Sequence, residues 1–372
     1  DIAAPLKRKR MFVHHVIISI KIDGWCLMTK VNIEERMNYY RVQGLSLLVI
    51  EKGQISQIEH YGYLMAGTRQ KVNDQSLFNA CSISKFLTSM VVMVLVEQGY
   101  LDLDEDVNNK LKSWKVPENQ NTKLKKVTLR NLLCHQSGII DPANSFSTLN
   151  AAHAKPSMVN LLNGTTPYCQ SPIEVSGEPW HAFHYSDAGF CIIQLLIEDV
   201  MAQSFDSIIE EHIFKPLTMT HSTLSTTFAS SKEQSFASGH HKNGKSVTDN
   251  YPIYPYPAAC GLWTSPADLA KLLLELINAL KGSSKIGISA NLVEELIQPQ
   301  GAKEWAGLGV FLEGSGQEVE ISSLGWGIGF QCMLVFFPYL EKGMIVMTNT
   351  DLGVHQMQGI IGELYKSLIS CS

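Results

Sequence analysis

Apolar positions along the chain fall into strand-like runs at its two ends and helix-like runs between them. Residues 45–50 are almost continuously apolar. After Glu51-Lys52-Gly53 a second run rich in β-branched and aromatic residues, 54–63, follows, and the pair predicts a β-hairpin. Residues 30–42, ahead of it, read as a polar helix. Residues 86–96 are apolar on nearly all sides, so a helix opening at Ser82 is predicted to lie buried between layers, ended by Gly99. From 101 to 228 the pattern is mostly helical: Thr128 opens a short helix over 129–133, and 186–201 carries a long apolar face. Residues 229–256 read as a polar loop and 266–280 as helix. The chain closes with strands over 307–312, 329–337 and 343–348 and a helix over 354–369.

Strands at both ends with helices between them predict one antiparallel sheet, built from the N- and C-terminal segments and flanked by helices, with an all-helical domain inserted. The boundaries are an extension over 1–27, a sheet-and-helix domain from 28–102 and 229–372, and a helical domain over 103–228. The helix that starts at Ser82 would lie at the seam, where clefts form.

Composition narrows the functional classes. The chain has 372 residues, 45% hydrophobic and 17% charged, enough for a sizeable core. A net charge of -5 gives no basic surplus for nucleic acid. The eight cysteines include no C-x-x-C and no zinc-ligand spacing with histidine, and this usage reads as a reducing, cytoplasmic compartment. The alternative is export or membrane attachment through residues 7–20, where Lys7-Arg8-Lys9-Arg10 precedes a short apolar run. That run is too short to span a bilayer, so no stable membrane span is expected. Oligomeric state is open.

The candidate chemistry starts at Ser82-Ile83-Ser84-Lys85. Positions i and i+3 share a helix face, which sets an amine beside a hydroxyl that needs a base. Ser-x-x-Lys also arises by chance, and a lone Ser82 could simply cap its helix. Two further segments give it weight: His184-Tyr185-Ser186-Asp187-Ala188-Gly189, and the small-residue strand around Ser323-Leu324-Gly325. Tyr100-Leu101-Asp102 is a second Tyr-x-Asp, and only the flanking Phe183 and Gly189 favour Tyr185. His181, His184, His240 and His241 do not form a metal site, and no phosphate loop, dinucleotide fingerprint or G-x-S-x-G elbow is present. No cofactor is expected.

These segments, in order, resemble the class C β-lactamase and penicillin-binding protein-like serine hydrolases, with their D-aminopeptidases and family VIII esterases. Leu132-Leu133-Cys134-His135-Gln136-Ser137-Gly138 is similar to the L-L-x-H-x-S-G element, and Phe183 to Phe190 to F-x-Y-S-N-x-G-Y. Phe214-Lys215-Pro216-Leu217-Thr218-Met219 is similar to F-x-P-L-G-M, and residues 258–269 to A-x-G-L-x-S-T-x-x-D-L. The resemblance covers most of 29–370 and implies a β-lactamase/transpeptidase-like α/β (α+β) fold. It implies acylation of Ser82, with Lys85 and Tyr185 sharing its proton. An oxyanion hole fits the N–H groups of Ser82 and Trp326.

Two departures bear on substrate. The family's Tyr-x-Asn reads Tyr185-Ser186-Asp187. Its third motif, usually Lys-Thr-Gly or His-x-Gly, aligns with Ser323-Leu324-Gly325 or, in another register, with Gly325-Trp326-Gly327. Either register lacks the cation. With a carboxylate gained at Asp187 and a cation lost at Ser323, anionic substrates are disfavoured. The expectation is a serine hydrolase of small-molecule esters, amides or peptides, esterase- or D-aminopeptidase-like, with Asp187, Ser323, Gly325 and Trp326 meeting substrate. The alternatives are a weak β-lactamase or D,D-carboxypeptidase, and a non-catalytic module that binds a peptide or cell-wall fragment.

Overall fold

The computed structural model describes residues 31–150, 152–224, 235–248 and 250–368. The 1–27 extension, with its basic tetrad, lies outside them. The main sheet has six strands: β1 (Gly44–Glu51), β2 (Gln54–Gly62), β3 (Phe311–Glu313), β4 (Glu320–Gly327), β5 (Phe330–Phe337) and β6 (Lys342–Thr348). Their order is β2-β1-β6-β5-β4-β3, antiparallel throughout, so both chain ends meet at the β1–β6 pair. Helices of eight or more residues are α1 (Ile33–Tyr40), α2 (Ser84–Glu97), α3 (Asp187–Met201), α4 (Pro266–Leu280) and α5 (Ile360–Leu368).

Side-chain alternation explains the layers. Leu45, Leu47 and Val49 of β1, Met333 and Val335 of β5, and Met344 and Val346 of β6 form one apolar face, which packs with residues of α1 and α5. The intervening Leu48, Ile50, Cys332, Leu334, Phe336, Ile345 and Met347 face the larger core, which contains α2, α3 and α4. A period of two with apolar residues at both phases buries both faces of the sheet. Helix α2 is the spine of that core: twelve of its fourteen residues, Ser84 to Leu95, are buried.

The pattern from 101 to 228 differs from the mostly helical expectation. Besides α3, the described residues there form only short helical pieces: five residues each at Leu129–Leu133, Met158–Leu162, Phe205–Ile209 and Glu210–Phe214, and three each at Val107–Asn109 and Gln120–Thr122. Pro117, Pro142, Pro156, Pro167, Pro172 and Pro179 interrupt the apolar spacing, and each missing N–H and fixed φ stops a helix. Ser222–Thr223, inside this stretch, pairs with Trp263–Thr264 of a second, four-stranded sheet. Two boundaries near the C-terminus also moved. The strand expected over 307–312 begins only at Phe311, because Gly309 adopts a positive φ in the turn before it. The last helix begins at Ile360, after a turn over Gln356–Gln358. Among the described residues, no single helix is long and apolar enough to cross a membrane.

Candidate active site

Ser82 sits in the helical turn Cys81–Ile83 that leads into α2. Cys81, just before it, has a φ of 50°, a left-handed conformation that costs a non-glycine residue roughly 1–2 kcal/mol. Asn79 offsets that cost, accepting the Cys81 N–H on Oδ1 at 2.9 Å and donating its amide to the Pro252 carbonyl at 2.9 Å. The hydroxyl of Ser84 then ties the turn to the opposite segment. It donates to the Cys81 carbonyl at 2.6 Å and accepts the Leu262 N–H at 2.9 Å. Ser82 is thereby fixed between two backbones.

One turn on, Lys85 is buried and its Nζ lies 3.2 Å from Ser82 Oγ. The same ammonium donates to Asp187 Oδ1 at 2.7 Å and to the Ala259 carbonyl at 3.1 Å. Burial alone would push this ammonium down, but the Asp187 carboxylate outweighs it and holds Lys85 well above its ordinary value. Lys85 therefore stands as a charged, fully hydrogen-bonded donor. Cys260 completes the surround, with Sγ 3.6 Å from Ser82 Oγ; burial pushes its thiol up to about 12.

Asp187 occupies the first turn of α3, capped by Ser186, whose hydroxyl accepts the Gly189 N–H at 3.0 Å. A helix N-terminus favours a carboxylate. Asp141 holds this end of the helix. It accepts the Asp187 N–H at 2.9 Å, the Ala188 N–H at 3.1 Å and the Ser186 hydroxyl at 2.7 Å. Sequence reasoning passed over Asp141, which lies 46 residues from its partner. It also treated Asp187 as a free carboxylate facing substrate. The structure instead spends that charge on Lys85.

Tyr185 stacks on His135, ring centres 4.3 Å apart, and Lys85 Nζ lies 4.7 Å from the centre of the tyrosine ring. Burial pushes the phenol up to about 12 against the pull of the Lys85 ammonium. No hydrogen bond joins the Tyr185 hydroxyl to Ser82. His135 accepts the Ser186 N–H on Nδ1 at 3.1 Å, and its carbonyl accepts the His184 N–H at 2.8 Å, so it pins the tyrosine segment in place. Burial, with Lys85 nearby, keeps its imidazole neutral.

A narrow cleft opens on Ser82, lined also by Lys85, His135, Tyr185, Phe311 and Ser323. Ser323 is buried on β4 and lines this cleft. Gly325 lies so close to the Ala80 backbone that a Cβ there would be 2.2 Å from the carbonyl oxygen. Trp326 points elsewhere: its Nε1–H donates to Asp351 Oδ1 at 2.8 Å and its side chain is half exposed. Phe183, Trp305 and Phe311 form an aromatic cluster, two of them on the cleft wall. His240, one of the histidines weighed as a metal ligand, is buried with Nε2 accepting the Ala66 N–H and Nδ1 beside the Asn349 carbonyl.

A family model described as Beta-lactamase matches residues 30–360. The chain belongs to the Beta-lactamase family. Members of this fold family are serine hydrolases. The chain is 26% identical over 235 residues to Protein flp of Staphylococcus aureus (strain MW2), covering 63% of this chain and 44% of that one. It is 28% identical over 178 residues to Penicillin-binding protein 4 of Amycolatopsis lactamdurans, covering 48% and 44%. The chain thus spans less than half the length of these curated relatives. The octameric penicillin-binding protein homologue from Pyrococcus abyssi superposes with a TM-score of 0.69 at 24% identity, over 86% of this chain and 72% of that one. The D-alanine carboxypeptidase AmpC from Burkholderia cenocepacia gives 0.67 at 20%, over 90% and 94%. These two likenesses establish the β-lactamase/transpeptidase-like fold.

Proposed function

We propose that this Beta-lactamase-family protein forms an acyl-enzyme on Ser82 and hydrolyses neutral esters, with amides as slower substrates. The observation that carries the reading is the 3.2 Å approach of Lys85 Nζ to Ser82 Oγ at the floor of a cleft. Lys85 and Tyr185 handle the protons of attack and departure. The N–H groups of Ser82 and Trp326 receive the oxyanion, and Ser323 and Gly325 flank the acyl group.

Charge favours neutral substrates. Lys85 is the one full charge among the residues that line the cleft, and Asp187 neutralises it. No lining residue offers a cation to the carboxylate of a β-lactam or of a peptide ending in D-alanine, a lack that costs on the order of a few kcal/mol in a poorly solvated cleft. With Asp187 engaged, no free carboxylate is left to receive a peptide amino terminus either, which favours esterase over D-aminopeptidase activity. β-Lactam or D,D-peptide turnover, which the names of the relatives suggest, is the second reading.

The test is steady-state turnover of p-nitrophenyl butyrate and nitrocefin by wild type and Ser82→Ala. Faster ester turnover that disappears in Ser82→Ala is expected. Faster nitrocefin turnover would reverse the charge argument. Binding without turnover of either would favour the non-catalytic module.

A further inference from the structure

The Lys85 ammonium has three N–H bonds to give, and its short contacts are to Ser82 Oγ, Asp187 Oδ1 and the Ala259 carbonyl, with Cys260 Sγ farther off at 4.0 Å and the Tyr185 phenol alongside. So arranged, it has no lone pair for the Ser82 proton. A base must nevertheless receive that proton, and the nearest group able to accept one through Lys85 is the carboxylate 2.7 Å away. We propose that Asp187 is the terminal acceptor of the Ser82 proton, which is relayed to it by Lys85. The inference rests on the reading of Ser82 as nucleophile.

The step balances in atoms and electrons. The Ser82 Oγ–H bond breaks and its proton goes to Lys85 Nζ, while Lys85 releases one of its own protons to Asp187 Oδ1. The Oγ electron pair forms the bond to the acyl carbon, and the carbonyl π pair moves onto its oxygen. When that pair returns, the bond to the leaving oxygen breaks, and the leaving alkoxide takes a proton from the Tyr185 hydroxyl, which Asp187 replaces through Lys85. Lys85 remains an ammonium before and after each step, and Asp187 alternates between carboxylate and acid. Water then attacks the acyl-enzyme by the same relay. Asp187 works through Lys85 as a positioning and proton-accepting residue.

The surroundings leave Asp187 this role. Lys85 faces it from α2, Asp141 from the loop after Leu129–Leu133, and Tyr185 and Cys191 from its own segment. Tyr254, Tyr256 and Cys260 face it from the segment that carries Ala259. Burial keeps those phenols and thiols neutral. Asp141 is the other carboxylate, and its oxygens are taken by the Asp187 and Ala188 N–H groups and the Ser186 hydroxyl. With asparagine at 187, Lys85 loses its principal anion, burial pushes the ammonium down, and the free amine can serve as base itself. Aspartate and asparagine thus give opposite starting protonation states at Lys85.

The experiment follows the rate of Ser82 phosphonylation by an uncharged fluorophosphonate from pH 5 to 10. It compares wild type, Asp187→Asn and Asp187→Glu, each checked for native near-UV circular dichroism. Asp187→Asn should lose its rate on acidification at a pH at least about one unit higher than wild type, because its base is now the amine. Asp187→Glu should restore the wild-type profile. A folded Asp187→Asn with the wild-type profile would overturn the relay while leaving Ser82 as nucleophile. A wild type that takes no label at Ser82 would remove the nucleophile reading, and the relay with it.

Discussion

The close approach of β4 to the Ser82 turn is the contact most open to a single-atom test. An ideal Cβ added at Gly325 would lie 2.2 Å from the Ala80 carbonyl oxygen, 3.1 Å from the carbonyl carbon and 3.3 Å from Cys332 Cβ. Its φ is not in the left-handed region, so alanine meets no backbone strain there and the contact alone decides. Neither side yields readily. The Ala80 carbonyl accepts the Ile83 N–H at 3.1 Å, and Gln356 Nε2 donates to the Gly325 carbonyl at 2.9 Å. Gly325 is also paired with Cys332 on β5. Relieving the overlap requires the turn and the strand to part by roughly 1 Å. Overpacking of this kind costs about 1–3 kcal/mol, and a misplacement of about 1 Å at a reacting centre can cost about a hundredfold in rate. Gly325→Ala should therefore lower stability in urea by that amount and slow Ser82 phosphonylation about a hundredfold. Gly177→Ala is the control, since its Cβ would meet nothing nearer than Gly138 Cα at 4.0 Å. A Gly325→Ala variant that labels at the wild-type rate would refute the idea that this strand forms part of the site.

Other outcomes follow from the same geometry. Lys85→Ala should slow phosphonylation by roughly a hundredfold or more, and Ser323→Ala far less; equal modest losses in stopped assays would make Lys85 structural. On β4, burial, with the charge of Glu313 adding, pushes the Glu320 carboxyl up to about 7, although Tyr365 donates to it at 2.9 Å. Because that value is raised above the unfolded one, the fold favours the neutral acid, and stability falls as pH rises from about 4.3 through about 7. Glu320→Gln should flatten this slope, gaining on the order of 2–3 kcal/mol over wild type between pH 5 and pH 8 in urea titrations. An identical slope in both proteins would show that Glu320 does not titrate there.

Local spacing made the Ser82–Lys85 contact legible: the two residues are one turn apart, and a helix brings them together whatever surrounds it. The hairpin and the central strands were legible too, because runs such as 45–50 have apolar residues at both phases of a period of two. The Asp187–Lys85 ion pair was not legible. It spans 102 residues, and the sequence offered only a carboxylate where the family has an amide. Read alone, that carboxylate points to substrate, whereas its partner in the fold is the Lys85 ammonium. Asp141 and Cys260 were missed for a similar reason: each does its work through tertiary contacts that no local pattern records. The stretch from 101 to 186 misled because apolar spacing alone cannot show that prolines have broken it into turns.

In the proposed reaction Ser82, and no other residue, becomes covalently acylated. The most direct measurement is intact-mass and peptide mapping of the full chain after reaction with an uncharged fluorophosphonate, alongside Ser82→Ala. One adduct per chain, carried by the peptide containing Ser82 and absent from a natively folded Ser82→Ala, is the predicted result. An adduct on another residue, or equal labelling of Ser82→Ala, would contradict it.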